Sequence, residues 1–302
     1  MSWLEKIENI SNKIKGKISF NQNLSKYSWF NLGGPAKIFY RPDSLNELSF
    51  FLKEIKGFDK IKVLGAGSNT LIRDGGFDGL IIRFGRSFSH ISLFDETSLV
   101  SGAAALDKQV AQFALNNSLS GLEFLSCIPG TVGGAIRMNS GCYDEDISKI
   151  LTSVQAIDFN GNIKVIPVEK IKFKYRGSNL DNNLIFLSAT FKGNKKKNEQ
   201  IEEKTKKFLL LKNTSQPSKI KTCGSTFKNP TSNKAWQLIK NSGCEGMKVG
   251  DAQISEKHCN FFVNNGNAKA KDLEKLIYEV KNKVLQKTGI NLELELQIIG
   301  EA

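Results

Sequence analysis

The sequence predicts a globular α+β protein with two or three domains. Three observations point there. At 302 residues the chain is longer than one typical core requires. Short β-rich runs separated by Gly, Asn and Asp turns fill most of its first two thirds. Beyond a lysine-rich run at 193–197, strands and helices with regularly spaced apolar positions form a second block.

Taken in order, residues 3–15 read as an amphipathic helix, and LNELSFFLKEIK (45–56) as a second. IKVL (61–64), TLI (70–72) and LIIRF (80–84) are short strands divided by GAGSN and RDGGFDG. SLVSGAAA (98–105) is a strand leading into a helix at 107–118. Residues 150–166 form a hairpin turning at Asn160-Gly161. LIFLSATF (184–191) is a strand, the lysine run a surface loop, and EQIEEKTKKFLLLK a helix. WQLIKNSG (236–243) is a helix stopped by Gly243, and CNFFVN (259–264) a strand. Residues 270–289 form a long helix, also stopped by glycine. NLELELQIIG (291–300) alternates from Leu292 to Leu296 and predicts a final strand, with Glu293 and Glu295 on one face.

Composition narrows the function classes. Five scattered cysteines form no CxxC pair, and two histidines cannot build a His-rich metal site, so no metal is expected. Reduced thiols, the absence of an apolar signal core and the absence of a spanning window predict a cytoplasmic protein. The net charge of +13 is concentrated: residues 192–221 hold ten Lys against three Glu. Such a stretch reads as a solvated surface, and no nucleic-acid-binding signature accompanies it.

Five segments carry candidate chemistry. Leu64, Gly65, Ala66, Gly67, Ser68 and Asn69 follow an apolar strand, where backbone N–H groups can cradle phosphate. A second strand follows this turn, unlike a Rossmann fingerprint. Pro129, Gly130, Thr131, Gly133, Gly134 and Ala135, with Asn139 and Gly141, form a second such segment. Two cradles suggest a dinucleotide pyrophosphate; a pair of packed turns is the alternative. Arg176, after Tyr175, can hold a carboxylate or phosphate bidentately, or simply face solvent. Ser225 sits at the tip of Cys223-Gly224-Ser225-Thr226-Phe227-Lys228-Asn229-Pro230, with no nucleophile elbow or nearby histidine to suggest a hydrolase. Glu293 and Glu295 read as a surface edge or as a carboxylate at a reacting centre.

Seven segments together resemble the bacterial UDP-N-acetylenolpyruvoylglucosamine reductases of peptidoglycan synthesis. They are SWFNLGGPA (28–36), VLGAGSNTLIRDGGFDGLII (63–82), FLSCIPGTVGGAIRMNSGCY (124–143), FKYRGS (173–178), CGSTFKNP (223–230), GDAQISEKHCNFFVN (250–264) and LELELQIIG (292–300). They run in the family's order over nearly the whole chain. The resemblance implies a discontinuous FAD-binding domain of the vanillyl-alcohol-oxidase type plus an α+β substrate-binding domain. It divides the chain into 1–86 completed by 291–302, 87–203, and 204–290.

The implied reaction is reduction of a UDP-linked enolpyruvyl ether, with NADPH as reductant and FAD as carrier. It supplies cell-wall precursor, and with it cell shape and division. The two glycine segments are then the FAD contacts. Arg176 and Glu295 stabilise the substrate's developing negative charge, Glu295 as a protonated acid with a raised pKa. Ser225 delivers the proton. Tyr175, Lys228, Asn229, Gln253 and His258 bind substrate. The resemblance implies small-molecule partners, a monomer, and neither nucleic acid nor membrane. Which of Glu293 and Glu295 approaches the flavin stays open, because a register slip would move both. Asp144 stands where the family usually has Gly, which leaves contacts at the flavin edge open, and Ser28 where it usually has Thr. The short stretch between YRGS and CGST suggests the subtype without a substrate-covering loop. A different substrate on the same flavin fold, or a non-catalytic anion- or nucleic-acid-binding module built on the basic surface, are the rival readings.

Overall fold

The computed structural model describes residues 3–302; Met1 and Ser2, the start of the predicted N-terminal stretch, lie outside them. The chain forms two compact units. One holds residues 3–19, 39–66 and 80–211; the other holds 20–38, 67–79 and 212–302.

In the first unit, helix α1 spans Trp3–Ser11 and α2 spans Leu45–Glu54. Ser44 caps α2, its hydroxyl accepting the Glu47 N–H. The Glu47 carboxylate then accepts the N–H groups of Lys15 and Gly16 at 2.8 and 2.9 Å and the Tyr40 hydroxyl at 2.8 Å. A helix start thereby fastens the chain that follows α1. Strand Ile61–Val63 runs parallel to residues 80–82, with Ile61 opposite Leu80.

The main sheet of this unit is antiparallel. Its order is Ile163–Pro167, Leu151–Asp158, Leu184–Lys192, Ser98–Gly102, Ile91–Leu93. The predicted hairpin is present. The Asp158 carboxylate accepts the N–H groups of Asn160 and Asn162, and Gly161 takes φ +80°. Helices α3 (Asp107–Asn116) and α4 (Val132–Met138) bury Val110, Ala114, Val132 and Ile136 in one core with Val154, Phe186 and Phe191 of the sheet. The lysine run does not remain wholly a loop: Asn194–Lys195 pairs with Leu119–Ser120 before α5 (Asn198–Ser215).

The second unit packs α6 (Ala235–Asn241) and α7 (Ala270–Thr288) with the antiparallel strands Lys248–Val249, Ala252–Ile254 and Phe262–Asn264. Leu273, Leu276, Ile277, Val280 and Val284 form the buried stripe of α7. Its N-terminus is capped from a distant stretch, the Asp74 carboxylate accepting the N–H groups of Ala270 and Lys271. Its C-terminus ends at Gly289, φ +71°. Arg73 and Glu274 add a bidentate ion pair, both contacts at 2.9 Å.

Several predicted elements come out shorter, among them the strand expected at 259–264, which forms over Phe262–Asn264. Helix α1 stops at Ser11. The final strand forms only over Gln297–Ile299, parallel to Thr70–Ile72. The alternation before it is real, since Leu292 and Leu296 are buried and Glu293 is exposed. But residues 292–296 meet only one isolated bridge, Phe227 to Leu294. The Thr226 carbonyl accepts both the Glu295 N–H (2.9 Å) and the Leu296 N–H (3.3 Å), so one acceptor serves two donors and no regular ladder develops.

Candidate active site

Leu64, Gly65 and Ala66 of the first glycine segment meet the second segment within the first unit. The Leu64 N–H donates to the Ile82 carbonyl and ends the strand. A Cβ built on Gly65 would lie 2.7 Å from the Thr131 hydroxyl, so a side chain there would force the segments apart. The second segment is laid along residues 103–107. The Asp107 N–H donates to Gly130, Val132 to the Ala105 carbonyl and Gly133 to the Ala103 carbonyl, the last at 2.9 Å. Gly134 is exposed, and a Cβ on it would meet nothing nearer than the Thr131 hydroxyl at 3.6 Å. A fixed, side-chain-free backbone surface of this kind suits a dinucleotide phosphate. Behind it Asp107 is fully buried. Neither carboxyl oxygen has a hydrogen-bond partner, and burial pushes its pKa well above the ordinary carboxylate range.

The end of α4 leads to Arg176. Asn139 caps the helix in the left-handed region, φ +42°. Its amide donates to Asp146 and to the Lys174 carbonyl, both at 3.3 Å, and its oxygen accepts the Ser148 N–H. The Arg176 guanidinium donates to the Gly141 carbonyl at 3.0 Å and lies 5.0 Å over the Tyr175 ring. Arg137, half-buried on α4, donates to the carbonyls of Leu180, Asp181 and Leu184 and so fastens the loop that follows Arg176.

Between Gly141–Cys142 and Glu145–Asp146, Tyr143 (φ +54°) and Asp144 (φ +64°) make a two-residue hairpin turn with both residues left-handed. That backbone explains why glycine suits position 144. Tyr143 stacks on Phe208 at 5.1 Å, and Lys204, one turn earlier on α5, binds Glu123 at 3.2 Å and Glu145 at 3.7 Å. Burial opposes ionisation of Glu123, but the Ser120 hydroxyl, Lys204 and the Gly121 N–H together hold its carboxyl below the usual range.

The second unit holds the rest of the predicted residues. Gly67, φ +71°, abuts Tyr27 so closely that a Cβ would collide with the Tyr27 carbonyl. Its own carbonyl accepts the Trp29 N–H and the Cys223 thiol. Burial raises the Cys223 pKa to about 11, so it stays a thiol and a donor. Asn69 donates from its side chain to the Glu295 carbonyl at 3.0 Å, and its carbonyl accepts the Gln297 N–H.

The half-buried Ser225 follows Gly224, φ +77°, and bridges to Phe261. Lys228 pairs with Glu293 at 3.4 Å, and the Glu293 side chain is 75% exposed. The Asn229 oxygen accepts the Ala235 N–H and so starts α6. The Gln253 oxygen accepts the Asn265 amide. His258 packs edge-on to Phe261 and lines a hollow of about 290 Å³ with Trp236, Lys240 and Lys257. Its Nδ1 accepts the Asn260 N–H, and burial lowers its pKa, so the ring stays neutral.

Sequence reasoning assigned no role to Asp107, Arg137 or Asn260. Among the described residues no group of three or more His, Cys, Asp or Glu could hold a metal ion, and no helix is long and apolar enough to cross a membrane.

Comparison with known proteins supplies the lineage. The FAD binding domain family matches residues 36–166. The UDP-N-acetylenolpyruvoylglucosamine reductase C-terminal domain family matches 216–299. A UDP-N-acetylenolpyruvoylglucosamine reductase from Pelagibacter ubique (strain HTCC1062) is 50% identical over 299 residues, covering 98% of this chain and 99% of the relative. The chain belongs to the UDP-N-acetylenolpyruvoylglucosamine reductase family. A reductase of the same name from Rickettsia bellii (strain RML369-C) is 44% identical over 288 residues, covering 95% of each. The crystal structure of the Thermus caldophilus enzyme of this name superposes with a TM-score of 0.82 at 31% identity, over 95% of this chain and 100% of that one. The expected fold, an FAD-binding domain joined to the family's C-terminal domain, is therefore present, and both glycine-rich segments lie inside the FAD-binding match. The Gly65–Thr131 surface fits that cofactor.

Proposed function

We propose that this chain is an FAD-dependent UDP-N-acetylmuramate dehydrogenase. It reduces the enolpyruvyl ether of UDP-N-acetylglucosamine with NADPH, in peptidoglycan precursor synthesis. The reading is supported by 50% identity to a UDP-N-acetylenolpyruvoylglucosamine reductase over 98% of the chain. The observation within the chain that carries it is the bond from the Glu295 N–H to the Thr226 carbonyl, 2.9 Å, which ties a carboxyl-bearing residue to the Ser225 loop.

When bound, FAD would supply two-electron redox chemistry between NADPH and the enolpyruvyl ether. Gly65, Ala66, Gly67, Ser68, Asn69, Thr131, Gly133 and Gly134 are the residues proposed to hold it. Arg176 binds the substrate carboxylate as negative charge grows on it. Glu295 donates a hydrogen bond as a neutral acid. Ser225 Oγ gives its proton to the carbon beside that carboxylate, completing the saturated ether. Glu293, exposed and paired with Lys228, is the weaker candidate of the two acids. Tyr175, Lys228, Gln253 and His258 bind the nucleotide substrate, and Asn229 supports them by starting α6.

We also take the enzyme to be a cytoplasmic monomer that acts without nucleic acid. Part of the basic stretch is already paired within the chain, Lys204 with Glu123 and Lys206 with Glu202.

The test is an absorbance scan of purified protein, then anaerobic NADPH, then the enolpyruvyl nucleotide. The expected result is a yellow protein whose flavin band bleaches with NADPH and returns with the nucleotide. A protein that never takes up FAD defeats the proposal. A reduced flavin that reacts with oxygen and ignores the nucleotide points to another substrate.

A further inference from the structure

Asn260 is 3% exposed, and its polar groups converge on the Ser225 loop. Its Nδ2 donates to the Phe227 carbonyl at 2.8 Å, and its Oδ1 accepts the Phe227 N–H at 2.9 Å. Its backbone carbonyl accepts the Thr226 N–H at 2.8 Å. Its own N–H donates to neutral His258.

A side-chain amide that satisfies both polar groups of one residue does what a neighbouring strand would do. Here it extends the isolated Ser225–Phe261 bridge by one rung. On the opposite edge, Glu295 and Leu296 donate to the Thr226 carbonyl. The main chain directly after Ser225 is thus held from both sides. Gly224, in the left-handed region, fixes its entry.

We infer that Asn260 is the positioning residue for Ser225, fixing the backbone that carries the donor hydroxyl. This rests on the reading of Ser225 as proton donor. An amide is required: an ionised carboxylate lacks the donor, glutamine is one methylene too long, and an apolar residue leaves both Phe227 groups buried and unpaired. The reach of a proton transfer is short, so small displacements of Oγ weigh heavily on that step and little on flavin reduction.

The test uses the FAD-loaded enzyme and N260D, with flavin reduction by NADPH timed separately from reoxidation by the enolpyruvyl nucleotide. The expected result is unchanged reduction and reoxidation slowed about 10²-fold, at retained substrate affinity. Reoxidation recovers as pH falls far enough to protonate the introduced carboxyl, which restores the donor. In an S225A background, N260D adds no further slowing, because no hydroxyl remains to be placed. In the flavin-free chain, amide hydrogen exchange over residues 223–230 quickens.

Parental reoxidation in N260D, beside a slow S225A, overturns the inference. So does equal slowing by N260D with and without Ser225, which marks a purely structural role. An S225A enzyme that reoxidises normally instead sinks the proton-donor reading itself, and the inference with it. If N260D takes up no FAD, N260S is measured in the same way and judged by the same outcomes.

Discussion

The Asn69 side chain donates to the Glu295 carbonyl at 3.0 Å, while the Asn69 carbonyl accepts the Gln297 N–H. The end of the first glycine-rich turn is therefore tied to the acid in the last segment of the chain. Both acids are bonded to the Ser225 loop through their backbones, Glu295 by its N–H to Thr226 and Glu293 by its carbonyl to Lys228, but Glu295 is half-buried while the Glu293 side chain is exposed. This separates two acids that alternation alone left equivalent. E295A should slow flavin reoxidation by the enolpyruvyl nucleotide by about 10²–10³-fold, the usual effect of losing one transition-state contact. E293A should leave that step nearly unchanged. Stopped-flow traces of both variants check this, and the reverse ranking would move the catalytic acid to Glu293.

Ser225 is approached through Gly224 and left through a backbone bonded on both sides. S225A should bind FAD and accept electrons from NADPH as the parent does, while the second half-reaction slows about 10²–10³-fold. A loss of only a few-fold would take Ser225 out of the proton-donor role.

Gly67 tests the glycine-rich turn proposed to hold the flavin. Its φ of +71° and the nearness of the Tyr27 carbonyl leave no room for a methyl group. G67A should lose about 2 kcal/mol or more of stability and purify with little flavin. Denaturant unfolding and the flavin-to-protein absorbance ratio measure both. Parental values would mean that the turn has a second backbone solution.

What could be read beforehand was local. The apolar stripe of α7, its glycine stop and the Asn160-Gly161 turn are signals carried within a few residues, and each appears in the fold. Long-range hydrogen bonds leave no such trace. Asn260 lies in a β-rich run and bonds Phe227, 33 residues away in sequence. Asp74 caps a helix that begins 196 residues later. The final alternation overstated a strand because alternation reports burial on two faces, and burial here comes without a regular ladder. Asp107 was least legible. An acid at a helix start ordinarily reads as an exposed partner of the helix dipole, and nothing local betrays its burial.

Asp144 sits in the left-handed region at the second position of a two-residue turn. Aspartate tolerates that conformation better than most residues, and glycine better still. D144G should therefore equal or exceed the parent in melting temperature, and D144A should lose about 1 kcal/mol. The Lys149 ammonium bonds the Asp144 carbonyl rather than its side chain, so neither change removes that contact. Thermal melts decide it, and a D144G protein markedly less stable than the parent would show that the carboxylate itself supports the turn.

Asp107 gives the pH prediction. Burial without a hydrogen-bond partner raises its pKa in the folded chain above the unfolded value near 3.8. The folded state then binds a proton that the unfolded state has released. Its contribution is therefore neutral below the unfolded pKa. It grows destabilising as pH rises from there toward the folded pKa, and is constant above it. D107N, of the same size and never charged, removes this penalty. D107N should be more stable than the parent at pH 7, and the gap should shrink steadily as pH is lowered toward 4. Paired urea unfolding curves across that range measure it. A gap that is constant with pH, or that widens on acidification, would show that Asp107 is ionised in the folded protein and that a charge partner holds it there.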